Sequence, residues 1–578
     1  MGKKVASQIV EMLVENNVKR IYAVTGDSLN ELNDAVRRNG KIKWIHVRHE
    51  EAGAYAAAAE AELDGIGCCA GSSGPGHVHL INGLYDAQRT GVPVIAIAAT
   101  IHSSEFGTNY HQETNTIKLF DDCSCYNQVI QTPAQAPRMM QAAIQHAIHQ
   151  RGVAVIGLPG DIAAQPAQES IAAMHNYSSA TLQRPVDAEL HKAAKLLNKY
   201  PKVCIFCGFG AIDAHDEIMR LAAALKAPVG YTFRGKMAIQ QDNPNDVGMT
   251  GLLGMPSAYH AMHESDVVLL LGTDFPYTPF IPTNNKLIQI DDKPEKLGRR
   301  AKLELGLTGD IKDTLTALLP SINNKTDNSF LHSQLALYEH VKTHLNIYVK
   351  DPGAKNLIQP EFVTHSINEL ASDKAIFTMD TGMCCVWAAR YISAAQGRRF
   401  LGSFNHGSMA NAMPMAIGAA LAHPEKQIIA LCGDGGLSML LGDLATIKQY
   451  NLPIKVLLFN NRSLGMVKLE MEVQGLIDNE TNLINPDFAL IGAAMGFKSI
   501  TIDEPQTVYE GLSEAFEHNG PVIVDIKTNP NALAMPPKIE WEQVKGLALS
   551  MGKMMLGGRM DEAMQTLKSN YKHLTEVV

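Results

Sequence analysis

The strongest constraint on this chain is a series of short, nearly uninterrupted apolar runs, most of them followed by a Gly-, Asp- or Asn-containing turn and a helical pattern. Val92–Ala99, Val203–Phe206, Val267–Leu271, Ala375–Met379, Gln427–Leu431, Ile454–Phe459 and Val522–Ile526 are of this kind. Runs this short and this apolar read as strands buried on both faces, which belong to parallel sheets covered by helices. The expected fold class is therefore α/β, with three doubly wound parallel-sheet domains and a helical C-terminal tail. Further strands are expected at Arg20–Val24, Ile42–Val47, Gly67–Ala70 and Lys286–Ile290, and an Ala-rich helix over Glu50–Glu62.

The expected domains are 1–180, 188–340 and 360–530, with a tail over 531–578. The stretch 164–187, with Pro166 and Pro185, reads as a linker, and 320–360 is only weakly patterned. The chain has 578 residues, which at about 150 per domain suits three or four units. A net charge of −9 argues against a general nucleic-acid binder, which needs a basic footprint. No apolar run approaches the ~18 residues of a transmembrane helix. Glu11 and Glu15 interrupt any signal-peptide core, and Ala6 spoils a myristoylation pattern. Nine cysteines, with the adjacent pairs Cys68-Cys69 and Cys384-Cys385, suit a reduced cytosolic protein. Cys204 and Cys207 have CxxC spacing but lie in an apolar strand, so they read as small buried hydrophobes.

Cys432-Gly433-Asp434-Gly435-Gly436 follows one apolar strand, and Phe459-Asn460-Asn461 ends the next. Asp434 and Asn461 thus sit at carboxyl ends of parallel strands, where open α/β sheets bind ligands. A carboxylate and an amide oxygen are hard ligands suited to Mg²⁺ shared with a diphosphate. Gly435 and Gly436 let backbone amides approach phosphate at a helix N-terminus. The blander reading is a pair of turns with helix caps. The Asp/Asn alternation of an EF-hand is missing.

The Gly433-Asp434-Gly435 and Asn460-Asn461 pair resembles the diphosphate motif of thiamine-diphosphate-dependent enzymes. The resemblance extends to Arg48-His49-Glu50, Gly74-Pro75-Gly76-His77-Val78-His79 and Gly402–Ala410, and is closest to the bacterial pyruvate oxidase and pyruvate:quinone dehydrogenase branch. It implies that Glu50 is the carboxylate that activates the cofactor through its pyrimidine ring. The chemical need is plain: a weakly acidic C–H must lose its proton, and a buried carboxylate can relay it. Taken alone, Glu50 would read as a solvated first-turn glutamate.

By the same resemblance Asp434, Asn461 and the Ser463 carbonyl hold the metal, and Met409 supports the cofactor from below. Gly26, Gly382, Gly407, Ser408, Gly435, Gly436, Leu464 and Gly465 contact the cofactor. His79, Gln112, Glu470 and Met466 face the reacting carbon. His79 and Gln112 would donate to the substrate, and Glu470 would shuttle a proton. His111 stands where the family usually has Phe, and Met466 where an aromatic is usual.

The middle domain resembles an FAD-binding domain through Gly208, Gly210, Ala211, Arg234, Thr250, Gly251, Leu252, Thr273, Phe275, Asp291, Asp310 and Ile311. The expected cofactors are thiamine diphosphate, Mg²⁺ and FAD. The expected reaction is oxidative decarboxylation of pyruvate, with electrons passing through FAD to quinone. Alternatives are an oxygen-dependent, acetyl-phosphate-forming pyruvate oxidase, a carboligase of the acetohydroxyacid synthase type with an idle FAD, and an inactive membrane-associated homologue. The resemblance also implies a homotetramer with active sites between subunits.

In the tail, Val544, Leu547, Met551 and Met554 share one helical face, and Met560, Met564, Leu567, Tyr571 and Leu574 share another. With Lys545, Lys553, Arg559, Lys568 and Lys572 they suit either anionic lipid or a neighbouring subunit. The expected location is cytoplasmic, with peripheral attachment to the inner face of the cell membrane as the alternative.

Overall fold

Where the sequence runs apolar, the chain forms strands buried along their whole length. The structure, a computed structural model, describes residues 2–168, 182–394, 397–532, 541–556, 559–561, 563–566 and 569. The N-terminal sheet contains β1 (Arg20–Ala23), β2 (Lys43–His46), β3 (Gly67–Gly71), β4 (Val94–Thr100), β5 (Tyr126–Val129) and β6 (Val153–Pro159). Its order is β2-β1-β3-β4-β6-β5, parallel throughout. β4 and β6 are buried at every residue and form its centre.

The middle sheet contains β7 (Val203–Cys207), β8 (Val229–Tyr231), β9 (Asp246–Met249), β10 (Val267–Leu271), β11 (Lys286–Asp291) and β12 (Leu305–Thr308). Its order is β12-β11-β10-β7-β8-β9, again parallel. Counted from its own first strand and read from the β9 edge, this is 3-2-1-4-5-6, the order of dinucleotide-binding sheets. A small antiparallel pair, β13 (Gly353–Ala354) and β14 (Leu357–Ile358), precedes the third domain.

The C-terminal sheet contains β15 (Ile376–Met379), β16 (Arg399–Gly402), β17 (Ile428–Gly433), β18 (Lys455–Asn460), β19 (Lys498–Ile502) and β20 (Val522–Lys527). Its order, β16-β15-β17-β18-β20-β19, repeats that of the N-terminal sheet strand for strand. All its pairs are parallel. The N- and C-terminal domains meet through the helices Glu50–Asp64 and Ala412–Ala422, whose alanines share one core. The helices approach so closely that a Cβ on Gly418 would stand 2.2 Å from the Ala56 carbonyl oxygen.

Two expectations change. The weakly patterned stretch contains a long helix, Ser329–Val349. Its buried face carries Leu331, Gln334, Tyr338, Val341 and Tyr348, a stripe too polar to read as apolar. In the tail, the helix Trp541–Leu556 lies on the helix Gly465–Val473 of the same chain, burying Leu547, Met551 and Met554 beside Leu469. A Cβ on Gly546 would stand 2.0 Å from the Val473 carbonyl oxygen, so glycine permits that approach.

Met560 and Met564 do not form the next buried face; they are exposed, while Ala563 and Thr566 are buried. Lys553 donates to the Gly475 carbonyl (2.8 Å) and Arg559 pairs with Asp478 (2.7 Å), so both cations are engaged by their own chain. Lys545 is exposed. The Val544 side chain and Leu567, Lys568, Tyr571, Lys572 and Leu574 lie outside the described residues, as does most of the expected linker. Among the described residues no helix is long and apolar enough to cross a membrane.

Candidate active site

Two groups of residues gather at carboxyl ends of strands, one on each of the twin sheets. On the N-terminal sheet, the turn after β2 leads into the helix that starts at Glu50. Glu50 is buried, and its Oε2 lies 2.9 Å from His79 Nδ1. His79 ends the short helix Pro75–His79 that follows β3, and its ring is 45% exposed. Gln112 joins this group from a loop: its Oε1 accepts from Ser73 Oγ at 2.8 Å, and its backbone is left-handed, with φ of 64°. Gly26 lies against Ser72, where a Cβ would stand 2.3 Å from Oγ, so its glycine is required by packing. The sequence motifs thus bring Glu50, His79, Gln112 and Gly26 into one neighbourhood.

His49, Glu50 and His79 offer ligand atoms that all lie within 4.8 Å of one another. Their geometry does not suit a metal as it stands. The two imidazoles stack, with centroids 4.4 Å apart and planes 23° apart. A ring nitrogen directs its lone pair within the ring plane, so stacked rings do not converge on one ion. The arrangement suits a carboxylate hydrogen-bonded to His79.

On the C-terminal sheet, Asp434 follows β17 and is buried. Its Oδ2 accepts from the Arg462 amide (2.6 Å) and from Asn485 Nδ2 (2.7 Å), and its Oδ1 from the Gly435 amide (2.9 Å). Burial pushes this carboxyl above the usual aspartate range, and those donors pull it back. Asn461 Oδ1 accepts from the Ser463 amide at 3.0 Å, and Ser463 Oγ is buried with no partner. A Cβ on Gly435 would touch Leu464 (3.0 Å) and Met409 (3.1 Å), and one on Gly465 would touch Asn461 and Met383 (3.1 Å each). Asp434, Gly435, Asn461, Ser463, Leu464, Gly465 and Met409 therefore form one cradle.

Gly382 and Gly407 have positive φ, 149° and 80°, and a Cβ on either would meet nothing within 4 Å. Both border open space. Ser408 turns elsewhere: its hydroxyl accepts from Asn82 Nδ2 of the N-terminal domain at 3.0 Å and donates to the Met409 carbonyl at 3.0 Å. Glu470 and Met466 lie on the helix Gly465–Val473, Glu470 exposed and Met466 partly buried.

Two further residues complete this cradle. Asp380, just after β15, accepts from the Ala412 amide (2.8 Å) and the Gly433 amide (3.1 Å), tying two loops together. Burial pushes its carboxyl up to about 7 against those two amides. A Cβ on Gly436 would stand 2.3 Å from its Oδ2. Asn485 joins Asp434 to Asn460, whose Oδ1 it reaches at 2.9 Å. Asp380 is foreshadowed by its place at a strand end, whereas Asn485 sits in a polar loop with no such signal.

In the middle domain the expected FAD residues all follow strands of one sheet. Gly208, Gly210 and Ala211 follow β7, Arg234 follows β8, and Thr250, Gly251 and Leu252 follow β9. Thr273 and Phe275 follow β10, Asp291 ends β11, and Asp310 and Ile311 follow β12. Thr250 Oγ1 and Asp291 Oδ2 are buried with no partner, as expected of atoms that await a polar ligand. Burial pushes Asp291 up to about 6, with Lys296 opposing.

Other members of this set have duties of their own. Gly208 and Gly210 pack on Gly272, Asp310 caps a helix through the Asp313 amide, and Leu252 is 47% exposed. The Arg234 guanidinium lies 3.8 Å from the Phe209 ring centroid and 3.5 Å from Glu62 of the N-terminal domain.

Twin α/β domains carrying a buried glutamate and an Asp–Asn cradle, with a dinucleotide-type sheet between them in sequence, define a diphosphate-cofactor enzyme architecture. Family models match each part: thiamine pyrophosphate enzyme, N-terminal TPP binding domain over 3–119, central domain over 190–318, and C-terminal TPP binding domain over 380–526. A Bacillus subtilis protein named as thiamine pyrophosphate-containing is 36% identical, covering 99% of this chain and 100% of its own. The pyruvate oxidase of Lactiplantibacillus plantarum is 32% identical over 89% of this chain and 87% of its own. An acetolactate synthase large subunit of Cyanidium caldarium is 28% identical over 92% and 94%. The chain belongs to the thiamine-diphosphate-dependent enzymes, and is related to pyruvate oxidase and acetolactate synthase.

Proposed function

We propose that this enzyme oxidatively decarboxylates pyruvate, using thiamine diphosphate, Mg²⁺ and FAD, and passes the electrons to a quinone. The observation that carries the FAD half of this reading is the pair of buried, unpartnered oxygens, Thr250 Oγ1 and Asp291 Oδ2, at the strand ends of a dinucleotide-ordered sheet. The 32% identity to a pyruvate oxidase supports the substrate. When bound, thiamine diphosphate supplies the carbon nucleophile for a 2-oxo acid, and FAD a two-electron acceptor.

The chain's own residues bind, orient and move protons. Asp434, Asn461 and the Ser463 carbonyl would hold Mg²⁺, and the N-terminal amides of the Asp434–Met439 helix would be available to the diphosphate. Glu50, buried and hydrogen-bonded to His79, would hold a proton for exchange with the pyrimidine. His79 and Gln112 orient the substrate carboxylate. The complete site would join Glu50 of one subunit to the cradle of another, in a dimer at least and in the homotetramer that the resemblance implies.

A carboligase with a redox-idle FAD is the second reading, favoured by the acetolactate synthase relative. Anaerobic addition of pyruvate to the holoenzyme separates the two. Bleaching of the flavin within the turnover time, with a quinone restoring the colour, is expected. A flavin that stays oxidised while acetolactate accumulates would replace the oxidoreductase reading with the carboligase one.

A further inference from the structure

The buried Asp443 lies in the C-terminal domain, in the 3-10 turn Leu441–Asp443 that follows the Asp434–Met439 helix. Its Oδ1 nonetheless accepts from the Arg48 amide of the N-terminal domain at 2.8 Å, and from Thr446 Oγ1 at 2.7 Å. The His49 amide also faces the same carboxylate.

The neighbouring residues grip the same turn. Gln449 Oε1 accepts from Arg48 Nη2 at 2.7 Å, and the Tyr450 hydroxyl accepts from the His46 amide at 2.7 Å and donates to the Trp44 carbonyl at 3.4 Å. On the N-terminal side, His49 is the cap of the helix, its Nδ1 accepting from the Glu51 amide at 3.3 Å. The backbone just ahead of that cap is thus fixed from another domain. A carboxylate there also sits favourably against the positive end of the helix dipole.

We propose that Asp443 is a positioning residue for Glu50: it anchors the chain where it enters the Glu50 helix, and so sets the direction of the Glu50 carboxylate. Glu50 is the first residue of that helix, so a slip of the Arg48–His49 backbone moves it directly. The segment following the diphosphate loop therefore also aligns the proton-relay side chain of its own chain. This inference rests on the reading of Glu50 as a proton carrier.

The test uses full-length Asp443→Ala, Asp443→Asn and Glu50→Gln. Two quantities are read without pyruvate. One is hydrogen exchange of the backbone amides over residues 44–53 in the cofactor-free protein. The other is the rate at which the thiamine C2 proton exchanges with solvent when thiamine diphosphate and Mg²⁺ are added.

Asp443→Ala is expected to deprotect the Arg48 and His49 amides and to slow C2 exchange about 10- to 100-fold, the range for losing a hydrogen bond to a charged group. Asp443→Asn keeps an acceptor oxygen and stays within about threefold of wild type. Asp443→Ser, whose oxygen falls short of Arg48, replaces the alanine variant if that one does not fold. If C2 exchange in Asp443→Ala matches wild type while Glu50→Gln is slow, the proposal is overturned. Equal losses in the asparagine and alanine variants overturn it too. If Glu50→Gln itself exchanges normally, the reading of Glu50 fails, and amide protection alone then decides whether Asp443 anchors the turn.

Discussion

The N- and C-terminal domains share one strand order and differ in which residues they set after equivalent strands. After β1, β2, β3 and β4 the N-terminal sheet sets Gly26, Glu50, His79 and Gln112. After β15, β16, β17 and β18 the C-terminal sheet sets Asp380, Met409, Asp434 and Asn461. The buried strands of both are close to interchangeable in pattern, so the scaffold does not decide the role. A few residues in each connection do: a buried carboxylate hydrogen-bonded to a histidine on one side, and a glycine cradle with hard oxygen donors on the other. On the function proposed above, the two domain types supply complementary halves of the cofactor site.

The sharpest break in that comparison is Asp434→Ala. Among the proposed Mg²⁺ ligands the carboxylate is lost, while the diphosphate keeps its charge. Calorimetry should show loss of Mg²⁺-dependent thiamine diphosphate binding, about 10²-fold or more, with FAD retained in its separate domain. Unchanged affinity would remove Asp434 from the metal site.

Glu50→Gln breaks the other half and should leave cofactor affinity within a small factor. Turnover should fall by about 10²–10⁴, the worth of a positioned proton transfer. A variant within about tenfold of wild type would deny Glu50 that role.

Gly418→Val attacks the seam between the twins. Its Cβ would stand 2.2 Å from the Ala56 carbonyl oxygen, and backbone cannot yield as a flexible side chain can. Overpacking of this kind costs about 1–3 kcal/mol, read as a lower Tm. A variant as stable as wild type would mean that the two helices slide apart freely.

Most central strands were legible because burial on both faces leaves only apolar residues, as in β4 and β10, although the equally buried β6 was not among the strands expected. The edge strands β5, β12 and β19 were not: they are short and half exposed and no apolar run marks them, whereas the edge strand β2 was expected at Ile42–Val47. The Ser329–Val349 helix escaped for a related reason, since Gln334, Tyr338 and Tyr348 occupy its buried stripe. Asp434 and Asn461 were legible as strand-end residues, whereas Glu50, which alone reads as a solvated first-turn glutamate, was singled out only through the resemblance. Asp443 and Asn485 act through contacts distant in sequence, which no local pattern reveals. The tail's second face misled because Met560 and Met564 have helical spacing yet point outward, leaving small Ala563 and Thr566 to make the contact.

The smallest effect concerns the helix Trp541–Leu556, which among the described residues has no counterpart in the N-terminal domain. Its loop after β4 leaves Phe106 and Tyr110 exposed, whereas the tail lies over the helix after β18. Ser550 Oγ donates to the Leu476 carbonyl at 2.7 Å, just beyond the helix that carries Met466 and Glu470. Ser550→Ala removes that bond, worth about 1 kcal/mol. Hydrogen exchange should quicken over the Gly465–Leu476 segment and stay unchanged over the β4 loop. Met564→Ala, on the exposed side, should shift stability by less than about 0.5 kcal/mol and leave both segments alone. If Met564→Ala loosens the Gly465–Leu476 segment and Ser550→Ala does not, the tail does not hold that helix through the face the structure shows. The asymmetry between the twin domains would then need another cause.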